Sequence, residues 1–558
     1  MISSSCWVPR GFAAEFPEQY ELDDAEMERI TQMAQLELSD AKADLKEAQE
    51  REKGLKSEED IDDDLKEYNL DTYDDDDEED GETVSMFPGL TNTDASYKEN
   101  EEGDGYLSLP TEVEQKQEKQ EMQIYPTDNL VLATRTEDDV SYLDVYVYDD
   151  GAGAPEGSEL EKGDELDDDV AQGMERESNL YVHHDLMLPA FPLCVEWVNF
   201  RPGTNAEDSS SNIGNFAAIG TFDPQIEIWN LDCIDKAFPD LILGEPQQNS
   251  FQSLSKKKKK KSKGKFVSTH HTDAVLSLAH NKFHRTALAS TSADKTVKLW
   301  DLSQGVAVRS LNSVHQGKTV SSSQWHSQEA SILLTGGYDG ACGITDVRIS
   351  DDNQMTKAYS VGGGQEVENV KWGAQPEIFY CGTDAGNVYC FDVRSQDKPL
   401  WTLHAHDTGI SSLDVSANIP GMLITSAMSE KLVKLWKAPT EPKKGPSMVL
   451  SRDFGVGNVL TCSFAGDIEV AGNLTVGGAS GSLKMWDCLS NKSVRNSFKD
   501  ELKDLQRRAR AEAQERGRAS RIARKYNGDA KETLMSAEAG GFTDEEDSDV
   551  EGDAGMEE

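Results

Sequence analysis

One short pattern recurs along this sequence and limits what the chain can fold into. Its clearest copy is TALASTSADKTVKLWD, from Thr286 to Asp301, in which apolar residues alternate with polar ones on both sides of Asp294. Alternation of this kind is typical of strands with one buried face, and Asp among small polar residues favours a tight turn. The stretch therefore predicts a β-hairpin whose return strand ends at Trp300, a side chain with a large packing surface.

The hairpin pattern recurs seven times in register. The position of Trp300 is taken in turn by Tyr148, Trp229, Trp300, Thr345, Phe391, Trp436 and Trp486. The last four intervals are 45, 46, 45 and 50 residues, close to the roughly 40–45 residues of a propeller blade with the WD dipeptide. The pattern predicts an all-β fold, a seven-bladed WD-repeat β-propeller.

A second repeated segment precedes each hairpin and predicts the inner strand of each blade. The seven segments are ISSSCW, PLCVEW, VLSLAH, VSSSQW, VENVKW, ISSLDV and VLTCSF. The first lies at residues 2–7, far before its own hairpin, and it differs from VSSSQW at only two of six places. We therefore expect residues 1–10 to supply the first strand of blade 1, and residues 129–498 to hold the rest of the propeller.

The fourth strands of blades 3 to 7 are predicted from the apolar segments that follow each hairpin. These are VAVRSLNS, TKAYSVGG, PLWTLHAHD, SMVLSRDF and SVRNSF. The last of them, residues 493–498, is expected to close blade 7.

A set of polar residues at fixed spacing accompanies the hairpin of blade 3. His271, Ser290 or Ser292, Asp294 and Trp300 have the spacing of a buried network that connects the strands of a blade. His315 with Asp339, and His406 with Glu430 and Trp436, partly repeat it. A His–Ser–Asp set could be mistaken for a catalytic triad, but its repetition at blade spacing indicates a structural role, and we expect no enzyme.

The net charge of −49 is concentrated outside the repeats. Residues 1–178 hold 55 acidic and 14 basic side chains, residues 529–558 hold 12 and 1, and residues 179–528 have a net charge of +3. The folded body is therefore expected to be nearly neutral. Acidic appendages of this kind indicate interaction segments.

These appendages predict several kinds of segment. Residues 21–53 have apolar positions at helical spacing and predict an amphipathic acidic helix, which either lies on the propeller or docks a partner. Residues 54–128 include DTYDDDDEEDGE and hold too few apolar residues to offset the entropy of folding, so we expect a largely disordered acidic insertion. Loop insertions are expected at 151–178 and 240–266, and an acidic disordered tail at 528–558.

A run of lysines interrupts the second loop insertion. The run consists of Lys256, Lys257, Lys258, Lys259, Lys260 and Lys261. Such a block stays solvated and suits nuclear localisation or contact with a phosphate backbone. The alternative is a loop that only increases solubility.

Residues 503–527 predict a basic helical extension beyond the propeller. They hold nine Lys or Arg against three acids, and Ala and Arg favour helices. Arginine-rich segments recur in RNA recognition because the guanidinium contacts phosphates and stacks on bases. The alternative is a solvated helix that covers one end of the propeller. The candidate RNA-binding residues are Arg507, Arg508, Arg510, Arg518, Arg521, Arg524 and Lys525.

Other features point to few further functions. Ser57, Thr543 and Ser548 precede acidic residues and are candidate phosphosites for an acidophilic kinase. The eight cysteines include no CxxC pair, so neither a zinc site nor a redox motif is indicated. A secretory signal and an apolar run long enough to span a membrane are both lacking, so we expect no membrane partner, and also no cofactor and no small-molecule substrate.

The sequence resembles the periodic tryptophan protein 1 family. The matching stretches are MISSSCWVPRG, NLVLATRTEDDVSYLDVYVYD, and the lysine block followed by HTDAVLSLAHNKFHRTALASTSADKTVKLWD. The departures are Thr345 in a tryptophan position, Glu430 in an aspartate position, and the basic extension.

The resemblance implies a non-catalytic factor of the nucleus and nucleolus. It implies work on early precursors of the large ribosomal subunit, with precursor ribosomal RNA and large-subunit assembly factors or ribosomal proteins as partners. Members of the family have also been linked to chromatin and ribosomal DNA transcription. A chromatin-associated propeller that binds histones is therefore the alternative.

Overall fold

The computed structural model describes most of the repeats and the two terminal segments that meet them. The described residues are 1–20, 96–99, 105–108, 122–151, 178–204, 212–244, 269–351, 354–395, 398–439, 445–515, 520–526 and 533–537. The predicted helix at 21–53, the lysine block and the three candidate phosphosites lie outside them.

Seven four-stranded antiparallel sheets confirm the predicted seven-bladed propeller. Blade 1 contains Ile2–Val8, Asn129–Glu137, Val140–Asp149 and Asn179–Leu188. Blade 2 contains Pro192–Val198, Phe216–Thr221, Ile226–Asn230 and Leu241–Leu243. Blade 3 contains Val275–His280, Ala287–Ser292, Val297–Asp301 and Val306–Leu311. Blade 4 contains Val320–Trp325, Ile332–Gly337, Ala341–Asp346 and Thr356–Ser360.

The last three blades follow the same order of strands. Blade 5 contains Val367–Trp372, Ile378–Thr383, Asn387–Asp392 and Trp401–His404. Blade 6 contains Ile410–Val415, Met422–Ala427, Leu432–Lys437 and Ser447–Asp453. Blade 7 contains Val459–Phe464, Asn473–Gly478, Leu483–Asp487 and Leu534–Ala537. The first strands of neighbouring blades contact one another around the ring, and Ile2–Val8 also contacts Val459–Phe464, which closes it.

The described α-helices lie between the third and fourth strands of blade 7 in the chain. They are α1 (Lys492–Ser497), α2 (Lys499–Glu515) and α3 (Ile522–Lys525), and single 3₁₀ turns lie at Ile468–Val470 and Cys488–Ser490. The predicted basic helix therefore begins earlier than residue 503 and is divided into α2 and α3.

The closing strand of blade 7 differs from the sequence-based prediction. Residues 493–498, expected as that strand, lie in and just after α1, which Asn491 caps by accepting a hydrogen bond from the Ser493 amide at 2.9 Å. Val494 and Phe498, four positions apart and both buried, place their side chains on one helix face. Leu534–Ala537 supplies the strand instead, with Ala537 opposite Leu483 and Leu534 opposite Trp486. The propeller therefore does not end at residue 498 as expected. Residues 534–537, which were expected to lie in a disordered tail, form its last strand.

Two other predicted boundaries also differ from the structure. The expected loop at 240–266 begins with the fourth strand of blade 2, Leu241–Leu243. The expected insertion at 54–128 ends with residues that pack on blade 1, since Ile124 is buried in one cluster with Val8 and Leu130. Residues 20–122 form a separate compact unit, in which Ser96–Glu99 pairs with Gly105–Ser108.

Side chains of the inner strands connect neighbouring blades. The indole N–H of Trp325 donates to the carbonyl of Ala279 in blade 3 at 3.0 Å, and that of Trp372 donates to Gln324 in blade 4 at 3.3 Å. Trp7 of blade 1 donates in the same way to Ser463 of blade 7 at 3.2 Å. These bonds contribute to closing the ring, because each joins first strands that meet only in the folded protein.

Candidate functional site

The polar network of blade 3 is a directed chain of hydrogen bonds. The Trp300 indole N–H donates to Ser290 Oγ at 2.8 Å, and Ser290 Oγ lies 2.7 Å from His271 Nε2. His271 Nδ1 lies 2.9 Å from an oxygen of Asp294. Because a carboxylate only accepts, Nδ1 carries the proton, so Nε2 accepts from the serine hydroxyl. The chain therefore runs from the indole through serine and histidine to aspartate.

Burial and hydrogen bonding set the protonation states in this network. Burial lowers the pKa of His271, so the imidazole is neutral near pH 7. Burial alone would raise the pKa of Asp294, but hydrogen bonds from His271, Thr296 and the Thr272 amide lower it to about 2. Ser290 is fully buried, and its oxygen already bonds the indole and the imidazole. These contacts connect strands and present no nucleophile to a substrate.

Two other blades repeat the network with threonine in the position of Ser290 and one further change each. In blade 6, His406 lies 2.7 Å from Glu430 and 2.9 Å from Thr425 Oγ1, which also accepts from the Trp436 indole at 2.9 Å. In blade 4, His315 lies 2.9 Å from Asp339 and 2.8 Å from Thr335 Oγ1. There the tryptophan position holds Thr345, whose hydroxyl lies 2.8 Å from that of Thr356 instead.

Blade 5 uses a residue that sequence reasoning missed. Gln365 Oε1 accepts from the hydroxyls of Thr383 and Tyr389, both at 3.0 Å, and from the Asn387 amide at 3.2 Å. Gln365 precedes Thr383 by 18 positions, close to the 19 that separate His271 from Ser290. This spacing could have identified Gln365 as the counterpart of His271, but a prediction based on histidine alone does not include it.

Helix α2 is the strongest candidate for a binding surface. Leu502, Leu505, Ala509 and Ala513 recur every three or four positions and are buried. The first three of them lie in one cluster with Val494, Phe498 and residues of blades 6 and 7. The face beside this buried one exposes Lys499, Lys503, Arg507 and Arg510, which we call the basic stripe. The Arg507 side chain is 79% exposed and lies 2.9 Å from Asp504. A rigid surface thus presents several cations to solvent.

The structure separates the candidate RNA-binding residues into two groups. Arg507, Arg508 and Arg510 are exposed on α2, although Arg508 donates to the Asn418 carbonyl and Arg510 to the Ala523 carbonyl. Arg521 and Lys525 lie against the propeller instead. The positions of Arg518 and of the Arg524 side chain lie outside the described part of the chain.

The second group anchors the segment that follows α2. Lys525 Nζ lies 2.8 Å from Asp487, which also accepts from the Tyr526 hydroxyl at 2.9 Å. The Arg521 side chain is 11% exposed and lies 3.8 Å from Asp150, and its backbone amide donates to Glu469. These contacts join the C-terminal segment to blades 1 and 7, so an RNA contact by Arg521 or Lys525 would have to displace them.

The family model of the N-terminal domain of nucleolar protein 10-like proteins, a β-propeller, matches residues 198–472. The periodic tryptophan protein 1 of Saccharomyces cerevisiae is 60% identical, and the alignment covers 98% of this chain and 98% of that protein. The chain belongs to the periodic tryptophan protein 1 family.

Other relatives agree with this assignment. A WD repeat-containing protein of Schizosaccharomyces pombe is 39% identical over 89% of this chain and 91% of its own length. The Drosophila melanogaster homolog of periodic tryptophan protein 1 is 32% identical, with coverage of 82% and 88%. Five tryptophans of this family member have one of two roles in the structure. Trp7, Trp325 and Trp372 donate between the inner strands of neighbouring blades, and Trp300 and Trp436 donate to the networks of blades 3 and 6.

Two kinds of feature are absent from the described residues. No helix in the described ranges is long and apolar enough to cross a membrane. Among the same residues, no group of three or more His, Cys, Asp or Glu side chains could hold a metal ion.

Proposed function

We propose that this protein is a non-catalytic nucleolar assembly factor for ribosome biogenesis. It binds early precursors of the large ribosomal subunit and joins precursor ribosomal RNA to assembly factors or ribosomal proteins as a scaffold. The observation that carries the proposal is the basic stripe of α2, held rigidly on a closed ring of seven blades. Membership in the periodic tryptophan protein 1 family supports it.

The basic stripe suits a phosphate backbone for a geometric reason. Lys499, Lys503, Arg507 and Arg510 lie four, four and three positions apart, so their side chains follow one face of the helix at steps of about 5–6 Å. The buried leucines and alanines hold that face in place, so little ordering entropy is lost when RNA binds. Lysine contributes a point charge and arginine a planar donor that contacts phosphate through two N–H groups.

The lysine block from Lys256 to Lys261 completes the proposal. Six consecutive lysines in a loop insertion are suited to recognition by the nuclear import machinery, which places the protein in the same compartment as its RNA. The propeller itself contributes surface rather than chemistry.

A matched pair of variants tests the RNA contact. In the first, Lys499, Lys503, Arg507 and Arg510 are all changed to Gln, which keeps helix propensity and removes four charges. In the control, four exposed lysines on other blades, Lys282, Lys318, Lys398 and Lys431, are changed to Gln. Affinity for a labelled single-stranded segment of precursor ribosomal RNA is measured by fluorescence anisotropy at several salt concentrations.

The two variants are expected to differ in the salt dependence of binding. A plot of log affinity against log salt concentration has a negative slope, and loss of four phosphate contacts should make that slope less steep by about 3. The control variant keeps the slope of the unmodified protein. Equal slopes in both variants would contradict the assignment of the RNA contact to α2.

A further inference from the structure

The second and third strands of blade 1 are longer than those of the other blades. Asn129–Glu137 and Val140–Asp149 contain nine and ten residues, and the fourth strand, Asn179–Leu188, contains ten. The backbone pairing of the N-terminal segment with this hairpin extends to Met1, which exchanges hydrogen bonds with Thr136. The hairpin continues beyond that point through Glu137 opposite Val140. Its tip therefore projects past the inner strand.

One face of the blade 1 sheet is covered by blade 7 in the part away from the hairpin tip. Val131, Ala133 and Tyr146 on that face pack in one buried cluster with Leu483 and Met485 of blade 7. Directly opposite residues in an antiparallel ladder share a face, which assigns Tyr142, Val140 and Met187 to the same side nearer the tip. We call Val140, Tyr142 and Met187 the hairpin face.

In the described part of the chain, the three side chains of the hairpin face remain partly exposed. Val140 is 38% exposed and Met187 is 60% exposed, and Tyr142 is half-buried. Each blade buries its apolar side chains between neighbouring sheets, and below the hairpin face blade 7 does so for blade 1. An apolar continuation of a buried face, surrounded by charge, is typical of an interaction surface.

The charge around the hairpin face is negative. Glu137, Asp138 and Asp139 are exposed at the tip, and Asp185 is exposed beside Met187. Two cations lie near it, and one of them, the terminal ammonium of Met1, donates to the Thr136 carbonyl. The other is the Arg135 guanidinium, which lies 2.8 Å from buried Asp144 and 2.7 Å from Glu137, and 4.7 Å from the centre of the Tyr142 ring. Its charge is already neutralised by these carboxylates, so the excess of acid remains.

We propose that the hairpin face docks a protein segment in which an apolar side chain is flanked by lysines or arginines. The apolar side chain packs on Met187 and Tyr142, and the flanking cations pair with Glu137, Asp138, Asp139 and Asp185. We call these four carboxylates the acidic rim. RNA does not match this surface, because its phosphates are repelled by the acidic rim. A symmetric contact between the same surfaces of two copies does not match it either, because two acidic tips would face each other. The proposal adds a protein contact to the scaffold proposed above and relies on it only for the particle used in the test.

Site-specific photo-crosslinking tests the proposal. A benzophenone amino acid replaces Met187 in the full-length chain, and the control carries it at Val308, an apolar residue on blade 3 that is 70% exposed. Both variants are irradiated in purified large-subunit precursor particles and alone in buffer, and adducts are mapped by mass spectrometry. Equal thermal melting of both variants and the unmodified protein verifies the fold.

A second pair of variants separates charge recognition from simple proximity. Glu137→Gln, Asp138→Asn, Asp139→Asn and Asp185→Asn remove the acidic rim, and asparagine tolerates the positive φ of 46° and 69° at Asp138 and Asp139. The control removes four exposed carboxylates elsewhere through Glu18→Gln, Asp235→Asn, Glu329→Gln and Asp407→Asn.

The proposal expects a Met187 adduct on a protein peptide that has an apolar residue flanked by at least two lysines or arginines. Removal of the acidic rim is expected to reduce that adduct about tenfold, as four lost charge pairs together would, while the control set leaves it unchanged. An adduct on RNA, on residues 538–558 of the same chain or on a second copy would overturn the proposal. So would a peptide without flanking cations, an adduct insensitive to the rim, or no adduct at all. An RNA-binding defect of the α2 variant is measured independently, so the two proposals fail separately.

Discussion

The hydroxyl at the centre of each blade network should contribute more stability where a tryptophan completes the network. Thr425 in blade 6 and Thr335 in blade 4 are both fully buried, and each lies within hydrogen-bond distance of a histidine. Only Thr425 also accepts an indole N–H, from Trp436, because blade 4 has Thr345 in that position. Thr→Val keeps the shape of the side chain and removes the hydroxyl, so the two substitutions form a matched pair.

The magnitude follows from the number of buried groups left without a bond. A buried polar group that loses its partner costs about 1–3 kcal/mol. Thr425→Val leaves the Trp436 indole N–H and His406 Nε2 unbonded, so the free energy of unfolding should fall by about 2–6 kcal/mol. Thr335→Val leaves His315 Nε2 unbonded and removes a longer bond of 3.3 Å to the Gly343 carbonyl, but it leaves no indole unbonded, so the expected loss is about 1–3 kcal/mol.

Urea unfolding followed by circular dichroism measures both losses, with Thr402→Val as a control because Thr402 is exposed on the fourth strand of blade 5. The control should change the free energy of unfolding by no more than about 0.5 kcal/mol. Equal losses for Thr425→Val and Thr335→Val would refute the assignment of the indole to the network.

Three further predictions concern other parts of the molecule. Removing residues 528–558 deletes the closing strand and should lower the melting temperature, whereas removing 538–558 keeps Leu534–Ala537 and should not; equal melting of the two truncations would contradict the role of that strand. Burial raises the pKa of Glu227 to about 7, against the lowering effect of the Trp229 indole, so the native state holds this proton more tightly than the unfolded state. The contribution of Glu227 to the free energy of unfolding is complete below about pH 4.5 and is lost as the pH rises to about 7. In urea unfolding, the free energy should therefore differ between pH 5 and pH 8, and Glu227→Gln should remove about 2–3 kcal/mol of that difference. Replacing the lysines from Lys256 to Lys261 by serine should reduce nuclear accumulation of a fluorescent fusion with unchanged melting, and full accumulation would argue against an import signal.

The ring of blades could be predicted because its signal is redundant. Seven hairpins share one pattern, the last five of them at intervals of 45 to 50 residues, and a single unusual position such as Thr345 does not disturb the register. The histidine networks were predictable for the same reason, because His271, His315 and His406 each precede their carboxylate by 23 or 24 positions. Alternation and spacing are local properties that survive without knowledge of tertiary contacts.

The closing strand and the anchors could not be predicted because they depend on distant contacts. Leu534–Ala537 is too short to show alternation, and it is a strand because the edge of Leu483–Asp487 pairs with it. Residues 493–498 have valine and phenylalanine that suit either a strand or a helix, and burial of both on one helix face decides between them. Arg521 and Lys525 differ from Arg507 only in what they pack against, which local sequence does not reveal.

The central claim is that the protein binds precursor ribosomal RNA through α2. Ultraviolet crosslinking of the full-length protein in cells, with mapping of both the RNA and the crosslinked peptide, tests this claim most directly. For the unmodified protein we expect adducts between the α2 peptide and precursor RNA of the large subunit. When the residues of the basic stripe are changed to Gln, we expect these adducts to be lost and the protein to be released from precursor particles. Adducts that persist in that variant would contradict the claim, as would retention on chromatin after RNase with no precursor RNA recovered.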